Sequence, residues 1–374
     1  MNFKAGEFIQ VKGYKAFQPE KIDRFHQFDE TDLLLLLEKA NIRLGELNAY
    51  AELVPDVEHF IRLHVVKEAT LSSRIEGTNT SLEDALLKEE EILPEKRNDW
   101  REVNNYILAM NRSIEQLRTL PLSSRLLKMA HKILLSGVRG EHRLPGEFRR
   151  SQNWIGGASL MDAVFIPPVW EEVNPLMGDL ENFLHNENTG LTHILKIALA
   201  HYQFETIHPF LDGNGRIGRL MITLYLIQAG IMNRPVLYLS DFFDRNRQLY
   251  YDNLMLVRTK SDLKIWLRFF ITGIIETCDK AVSGLKNILV LKKDCETNRI
   301  ITLGKKLQSA QVLLQLLFMD PVIRPDKVAQ LTGLSMVSAY KLIEDFERLK
   351  ILREITGGQR NRIYLFDEYF RVFE

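Results

Sequence analysis

Apolar positions along the chain recur mostly at three- and four-residue spacings, the period of a helix with one buried face. Leu33 to Leu53 carries that pattern and predicts one or two helices. Pro55 opens another, running through Phe60, Leu63, Val66 and Leu71, with Gly77 as its stop. Ser81-Leu82-Glu83-Asp84 offers a capping signal for a fresh start. Trp100 to Leu117, Leu126 to Ser136 and Glu171 to Leu184 predict three more helices, the first two parted at Pro121. Leu191 to Thr206 and Ile217 to Ala229 differ, being mostly apolar and long enough for buried helices, and Gly230 ends the second. Asn233-Arg234-Pro235 then turns the chain, and Ser240-Asp241-Phe242-Phe243 caps a helix ahead of Arg245 to Leu254. Asp262 to Gly284 is a further helix, rich in Trp266, Phe269, Phe270 and Ile274, and an amphipathic run to about Asn298 links it to the tail.

Two stretches depart from the helical period, and the organisation changes again near the tail. Residues 1–30 are broken by Gly6, Gly13 and Pro19 and are expected to lie irregularly over the surface. Trp154, Ile155, Val164, Phe165 and Ile166 are strand formers around Gly156, Gly157 and Ser159, and Pro167-Pro168 closes them, which predicts a short β-hairpin. From about residue 303, Leu307 to Phe318 is a helix and Arg324 to Ala329 starts a second. Thr332-Gly333-Leu334-Ser335 is a tight turn, and Met336 to Leu349 is a third helix. Ile351 to Ile355 and Arg362 to Phe366 are short strands about Gly357-Gly358. This order resembles a winged helix-turn-helix.

Composition adds bounds. The chain has 374 residues, enough for two or three domains and a sizeable core. Its 49 basic and 49 acidic residues balance, so no global charge draws it to nucleic acid or membrane. Two cysteines, Cys278 and Cys295, argue against a disulfide scaffold. Met1-Asn2-Phe3-Lys4 lacks the apolar run of a signal peptide, and no run approaches the roughly 18 apolar residues of a membrane span. A soluble, cytoplasmic protein is expected.

The chemistry concentrates between the two apolar helices, at His208-Pro209-Phe210-Leu211-Asp212-Gly213-Asn214-Gly215-Arg216-Ile217-Gly218-Arg219. Pro209, Gly213 and Gly215 mark a tight turn. Amide donors at the start of the second helix face that turn and suit an anion. Arg216 and Arg219 share one face of the helix, and two guanidiniums beside exposed amides make a polyphosphate cradle. Asp212 offers an oxygen ligand to a Mg2+ carried in on phosphates. His208 stands at the opposite lip, placed to take a proton from an incoming hydroxyl. Two other motifs fail. The Gly213 to Gly218 run formally matches a dinucleotide fingerprint, and Asp241 follows at a loosely compatible distance, but a helix precedes it where a strand is required. A P-loop needs a terminal Gly-Lys-Ser/Thr, which is missing.

The stretch resembles the signature of the Fic family, His-Pro-Phe-x-Asp/Glu-Gly-Asn-Gly-Arg-x-x-Arg, at every fixed position. The resemblance implies a mainly α fold with a Fic-type helical core, a short β-hairpin flap and the C-terminal winged helix-turn-helix. It implies an enzyme that moves AMP from ATP to a hydroxyl of a target protein, releasing pyrophosphate. His208 is then the general base, Phe210 the loop's anchor and Asp212 the Mg2+ ligand. Gly213, Asn214 and Gly215 form the anion nest, with Asn214 on the α-phosphate, Arg216 on the β-phosphate and Arg219 on the γ-phosphate. Ser72, Glu76 and Gly77 match the family's inhibitory-helix pattern Ser/Thr-x-x-x-Glu-Gly/Asn, so Glu76 is expected to pair with Arg219 in place of the γ-phosphate. Without the resemblance, Glu76 reads as a solvated carboxylate at the unfavourable end of a helix dipole.

Further expectations follow the resemblance. Trp154, Ile155, Phe165 and Ile166 form the flap that holds a target segment as an added strand, or else a structural hairpin. Tyr250 and Asn253 resemble residues that line the adenosine pocket, although aromatics at helical spacing are more often core. His193 and His201 have no metal-ligand spacing and are expected as packed or hydrogen-bonded core residues. The expected domains are a helical region with the inhibitory helix over 1–100, the catalytic core over 101–285, a linker helix over 286–302 and the winged helix over 303–374. Expected partners are ATP and a target protein, the chain itself included. For the C-terminal domain, DNA, a protein, a dimer contact and support of the core all stay open. Tyr340 and Lys341 on its third helix stand beside Glu344, Asp345 and Glu347, while Lys350, Arg353, Arg360 and Arg362 make the wing basic. Removal of AMP by hydrolysis, a different transferred group and a nucleotide-sensing regulator are the rival functions.

Overall fold

A computed structural model describes residues 3–27, 31–53, 57–358 and 362–373. The expected helix start at Pro55 and the wing residue Arg360 lie outside the described residues. The chain opens on an antiparallel hairpin, β1 (Gly6–Val11) and β2 (Tyr14–Pro19), with Gly6 opposite Pro19 and Val11 opposite Tyr14. Its turn is Lys12-Gly13, with Gly13 at φ 85°, the positive φ that a two-residue hairpin loop demands. The irregular start expected from the sequence is corrected on this point: Gly13 is a hairpin turn and no mere breaker.

Helices follow: α1 (Thr31–Leu53), α2 (Val57–Ile75), α3 (Leu82–Leu86), α4 (Arg97–Gln116), α5 (Ser124–Leu134) and α6 (Val173–His185). Then come α7 (His193–Ile207), α8 (Asn214–Gln228), α9 (Ser240–Arg245), α10 (Arg247–Lys260) and α11 (Leu263–Asp294). Residues 286–294 continue α11, and a π-helical turn, Cys295–Arg299, and a 3-10 stretch, Ile300–Lys306, come after it. The expected hairpin over 151–168 closes on a single antiparallel bridge, Ile155 with Phe165. Its loop is braced from within, because the Asp162 carboxylate accepts from the amides of Ala158 (2.8 Å) and Ser159 (2.7 Å).

The chain forms two compact units, Met1–Asn48 with Glu68–Asp279, and Ala49–Lys67 with Lys280–Glu374. In the first, α7 is buried from Ile194 to Ile207 and α8 from Asn214 to Leu226. Helices without a polar face are central ones. α6 packs on α7, and α4 and α5 pack on α8 and on each other. α4 shows the one-sided stripe that such packing needs, Val103, Tyr106, Ala109 and Met110. Trp266 of α11 donates its indole N–H to the Ala198 carbonyl of α7 at 2.8 Å. The site therefore hangs between the two most deeply held helices of this unit.

The second unit continues through α12 (Leu307–Met319), β3 (Val322–Ile323), α13 (Pro325–Thr332), α14 (Met336–Arg348), β4 (Leu352–Glu354), β5 (Tyr364–Phe366) and α15 (Asp367–Arg371). The strands form an antiparallel sheet in the order β3-β5-β4. Gly333 ends α13 in the left-handed conformation, and the Ser335 hydroxyl caps α14. Leu313, Leu317, Val328, Leu342, Phe346 and Leu365 make its core. Phe60 and His64 belong to this unit too, with ring centroids 5.4 and 5.2 Å from that of Phe373. Among the described residues no helix is long and apolar enough to cross a membrane.

Candidate functional site

The site begins where α7 ends. His208 is its C-cap, at φ 50° and ψ 61°, a left-handed conformation that costs a non-glycine residue about 1–2 kcal/mol. Its amide still donates to the Phe204 carbonyl at 2.9 Å. The residue as a whole is half-buried, and its Nδ1 is shielded from solvent. Burial lowers its pKa well below the usual histidine value; the guanidiniums of Arg258 and Arg149 add to this and Glu76 opposes it. A neutral imidazole at working pH is what a proton acceptor requires.

The turn is held from below. Phe210 is fully buried and stacks on His131, with centroids 3.8 Å apart and rings within 12° of parallel. The His131 Nδ1 accepts the Gly146 amide at 2.9 Å, so its Nε2 carries the hydrogen and donates to the Asp212 carbonyl at 3.0 Å. Burial, aided by Arg216, pushes His131 down to about 4, so it stays neutral. The Asn214 side chain accepts from the Phe210 amide and donates to the Phe210 carbonyl, each at 2.8 Å. Its amide group thus braces the loop, which leaves the first backbone N–H groups of α8 as the anion donors. Gly213, at φ 74°, supplies the left-handed N-cap that turns the chain into α8. The Asp212 side chain is 43% exposed at the mouth.

Both arginines are buried and already engaged. Arg216 donates to Glu102 at 3.2 Å, and that carboxylate also accepts from Thr78 at 3.1 Å and Arg139 at 2.9 Å. Arg219 donates to the Ser72 hydroxyl at 2.8 Å, the Ser72 carbonyl at 2.9 Å and Glu76 Oε1 at 2.7 Å. Burial works to raise the Glu76 pKa, but the charge and hydrogen bond of Arg219 outweigh it and hold the carboxyl below its usual range. The carboxylate lies against the start of α8, where a Cβ on Gly215 would come within 2.1 Å of Glu76 Oε1. Only glycine permits that approach. Two more carboxyls stand behind. Burial raises Glu68, which accepts from Ser240 and Tyr106, and Glu205 to about 7 each.

The structure brings His208, Asp212, Gly213, Asn214, Gly215, Arg216, Arg219, Ser72 and Glu76 together. Gly77 ends the α2 segment at φ 94°. Tyr250 is 1% exposed, with its hydroxyl on His201 Nε2 at 2.9 Å, and Asn253 is also buried. His201 is a buried core residue as expected. His193 is hydrogen-bonded, with its ring on the Tyr225 hydroxyl at 2.9 Å, but its place in the core is corrected: it is the first residue of α7 and lies exposed, ahead of the buried run from Ile194. In the flap, Phe165 and Ile166 are buried, while Trp154, Met161 and Val164 are its exposed apolar side chains. Sequence reasoning missed Glu102, His131, Arg149, Asn153 and Arg258. Asn153 donates to the Phe210 carbonyl at 2.8 Å and ties the flap to the loop.

Two family profiles match the chain: Fic/DOC family N-terminal over residues 34–115, and Fic/DOC family over 121–226. The chain belongs to the Fic/DOC family. This Fic/DOC chain is 38% identical over 125 residues to Protein adenylyltransferase Fic of Aedes aegypti, across 33% of the chain and 22% of that relative. It is 36% identical over 135 residues to Protein adenylyltransferase Fic of Drosophila melanogaster, across 36% of the chain and 25% of the relative. The matches therefore span about a quarter of the curated relatives' length. A crystal structure of a Fic family protein from Desulfovibrio desulfuricans G20 covers 92% of the chain and 98% of its own, with a TM-score of 0.58 at 20% identity. Fic-1 from C. elegans covers 68% of the chain and 73% of its own, with a TM-score of 0.52 at 20% identity. Those two likenesses are of fold.

Proposed function

We propose that the chain is a protein adenylyltransferase, which moves AMP from ATP to a Tyr, Thr or Ser hydroxyl of a target protein and is held off by Glu76. The observation that carries this reading is the Glu76–Arg219 pair at 2.7 Å, beside a neutral His208 and the free amides of α8. Those amides and Arg216 take the α- and β-phosphates, and Arg219 takes the γ-phosphate once Glu76 leaves it. Tyr250 and Asn253 back the adenosine side of the cleft. Asp212, exposed at the mouth, fits a Mg2+ that arrives on the phosphates, since that ion commonly takes one or two carboxylates and substrate oxygens. Bound there, the ion would offset phosphate charge. His208 accepts the hydroxyl proton as the target oxygen bonds the α-phosphorus. The bond from that phosphorus to the bridging oxygen breaks, and pyrophosphate leaves with the electron pair. Positioning and charge neutralisation supply most of such a rate.

One arginine cannot serve a carboxylate and a phosphate fully, so Glu76 competes with productive ATP. Incubating the chain with lysate, Mg2+ and α-labelled ATP tests the reading. Label should reach protein, more with Glu76→Gly, and vanish with His208→Ala. Unlabelled protein from a folded Glu76→Gly chain would contradict it. In the rival reading Glu76 orients water for AMP removal, and Glu76→Gly would then abolish removal from a modified target. Cys278 and Cys295 are both free and buried, which fits the reducing compartment that a cytoplasmic setting would provide.

We read the second unit as a winged helix-turn-helix, from α12, α13 and α14 with the sheet β3-β5-β4. The outer face of α14 exposes Val337, Tyr340, Lys341 and Glu344, while Asp345 is buried and paired with Lys306 and Arg348. Lys305, Lys306, Ser309, Ser338 and Lys341 border a cleft of about 190 Å³. With Lys306 held by Asp345, Lys305 and Lys341 are the cations of that cleft left to meet DNA phosphates, which is the reading taken ahead of the protein, dimer and support alternatives.

A further inference from the structure

Arg149 is 2% exposed, and among the described residues no carboxylate pairs with it. A buried guanidinium must satisfy its donors or lose several kcal/mol. Arg149 does so on carbonyls alone. Its Nε donates to His208 O at 3.0 Å, Nη1 to Ser151 O at 3.3 Å, and Nη2 to Pro168 O at 2.5 Å and Ile207 O at 3.3 Å. Its own amide donates to Pro209 O at 2.8 Å. Four of these five carbonyls belong to two places, the left-handed end of α7 and the closing residue of the flap. Arg258 repeats the pattern from α10. It donates to Glu205 O at 2.9 Å and Thr206 Oγ1 at 3.1 Å, and its guanidinium lies 3.9 Å over the Phe165 ring of the flap.

Two buried cations thus grip the same helix end and the same flap. The negative end of the α7 dipole compensates them in part. Carbonyls satisfy hydrogen bonds but carry no net charge, so both cations keep their field. The charged groups facing His208 are Arg149 from the loop after α5, Arg258 from α10 and Glu76 from the turn after α2, with Glu205 on its own helix.

We propose that Arg149 is the positioning residue of this site: its guanidinium locks the left-handed His208 backbone to the flap at Pro168. The proposal rests on His208 as the base of AMP transfer. Removing the positive charge makes protonation of His208 easier, so the acid limb of the rate profile must move to higher pH. Lysine keeps the charge but lacks the planar fork.

The test uses the full chain carrying Glu76→Gly, with Arg149→Met, Arg149→Lys and Arg258→Met added singly. Transfer is followed against pH, and hydrogen exchange is followed over residues 151–168. Arg149→Met should lower kcat about 10- to 100-fold and leave KM for ATP within about threefold. Its acid limb should move to higher pH. Arg258→Met should raise the acid limb in the same direction. Arg149→Lys should lose rate but keep its acid limb, and both Arg149 variants should exchange faster over the flap. An unchanged kcat in folded Arg149→Met, or unchanged flap exchange, overturns the proposal. If Arg149→Met does not fold, Arg149→Lys decides: faster exchange over residues 151–168 is the expected result, and unchanged exchange there overturns the proposal. Exchange needs no turnover, so it still reads Arg149 if Glu76→Gly shows no transfer and the adenylyltransferase reading itself fails.

Discussion

Arg219 has few donors to spare: Ser72 takes two of its hydrogen bonds and Glu76 a third. Glu76 keeps 34% of its side chain exposed, so solvent screens the pair. A coupling of about 1–3 kcal/mol is reasonable, which corresponds to about a 5- to 150-fold gain in transfer for Glu76→Gly, read as an initial rate. Glu68 makes a separate statement about pH. Its folded pKa is raised to about 7 from 4.5, so the unfolded chain ionises first as pH rises. Stability from this group is therefore full below pH 4.5 and lost as pH climbs to about 7. Glu68→Gln should melt higher than the unsubstituted chain at pH 8, by about 1–3 kcal/mol of stability, with the gap closing near pH 4. His208, Asp212, Arg216, Arg219 and Glu76 were legible because their chemistry and spacing are tied to local punctuation. Glu102, Arg149 and Arg258 were not, because a lone charged residue in sequence looks the same on a surface or in a core.

At the level of elements, the helix–turn–helix of the site was readable from two apolar runs parted by proline and glycines. Its brace was not, since His131 reaches Phe210 and Asp212 across long sequence separation. His131→Phe keeps the stack but removes the bond to the Asp212 carbonyl. It should cost about 1–3 kcal/mol by thermal melting and weaken ATP binding by calorimetry. The flap depends on an element that sequence reading passed over. Phe17 of β2 donates its amide to Ile166 O at 2.9 Å and sets its ring 5.8 Å from Phe165. Short strands interrupted by glycine hide their alternation, so only the Lys12-Gly13 turn could have announced them. Phe17→Ala should lose about 3–5 kcal/mol and speed hydrogen exchange at 163–168. Unchanged exchange there would separate the hairpin from the flap.

For the whole molecule, the two units share the chain unevenly, because residues 49–67 belong with 280–374. Cutting after residue 300 would leave Phe60 and His64 without Phe373, so charge reversal is the sounder probe. Lys305→Glu with Lys341→Glu should abolish retention on a DNA column at low salt without changing AMP transfer. Retention left intact would favour a protein or dimer role. Helices α12 to α14 and strands β4 and β5 were plain in the sequence, while β3, α15 and the unit's claim on residues 49–67 were not, because two-residue strands and pairing between distant segments leave no local pattern. The central claim, that His208 and the arginine cradle transfer AMP under restraint by Glu76, has one most direct measurement. It is mass spectrometry of target proteins after treatment with the Glu76→Gly chain, Mg2+ and ATP. One AMP on a hydroxyl side chain, absent when His208→Ala is added, is the expected result. Targets left unmodified by the folded Glu76→Gly chain, or modification that survives His208→Ala, would contradict it.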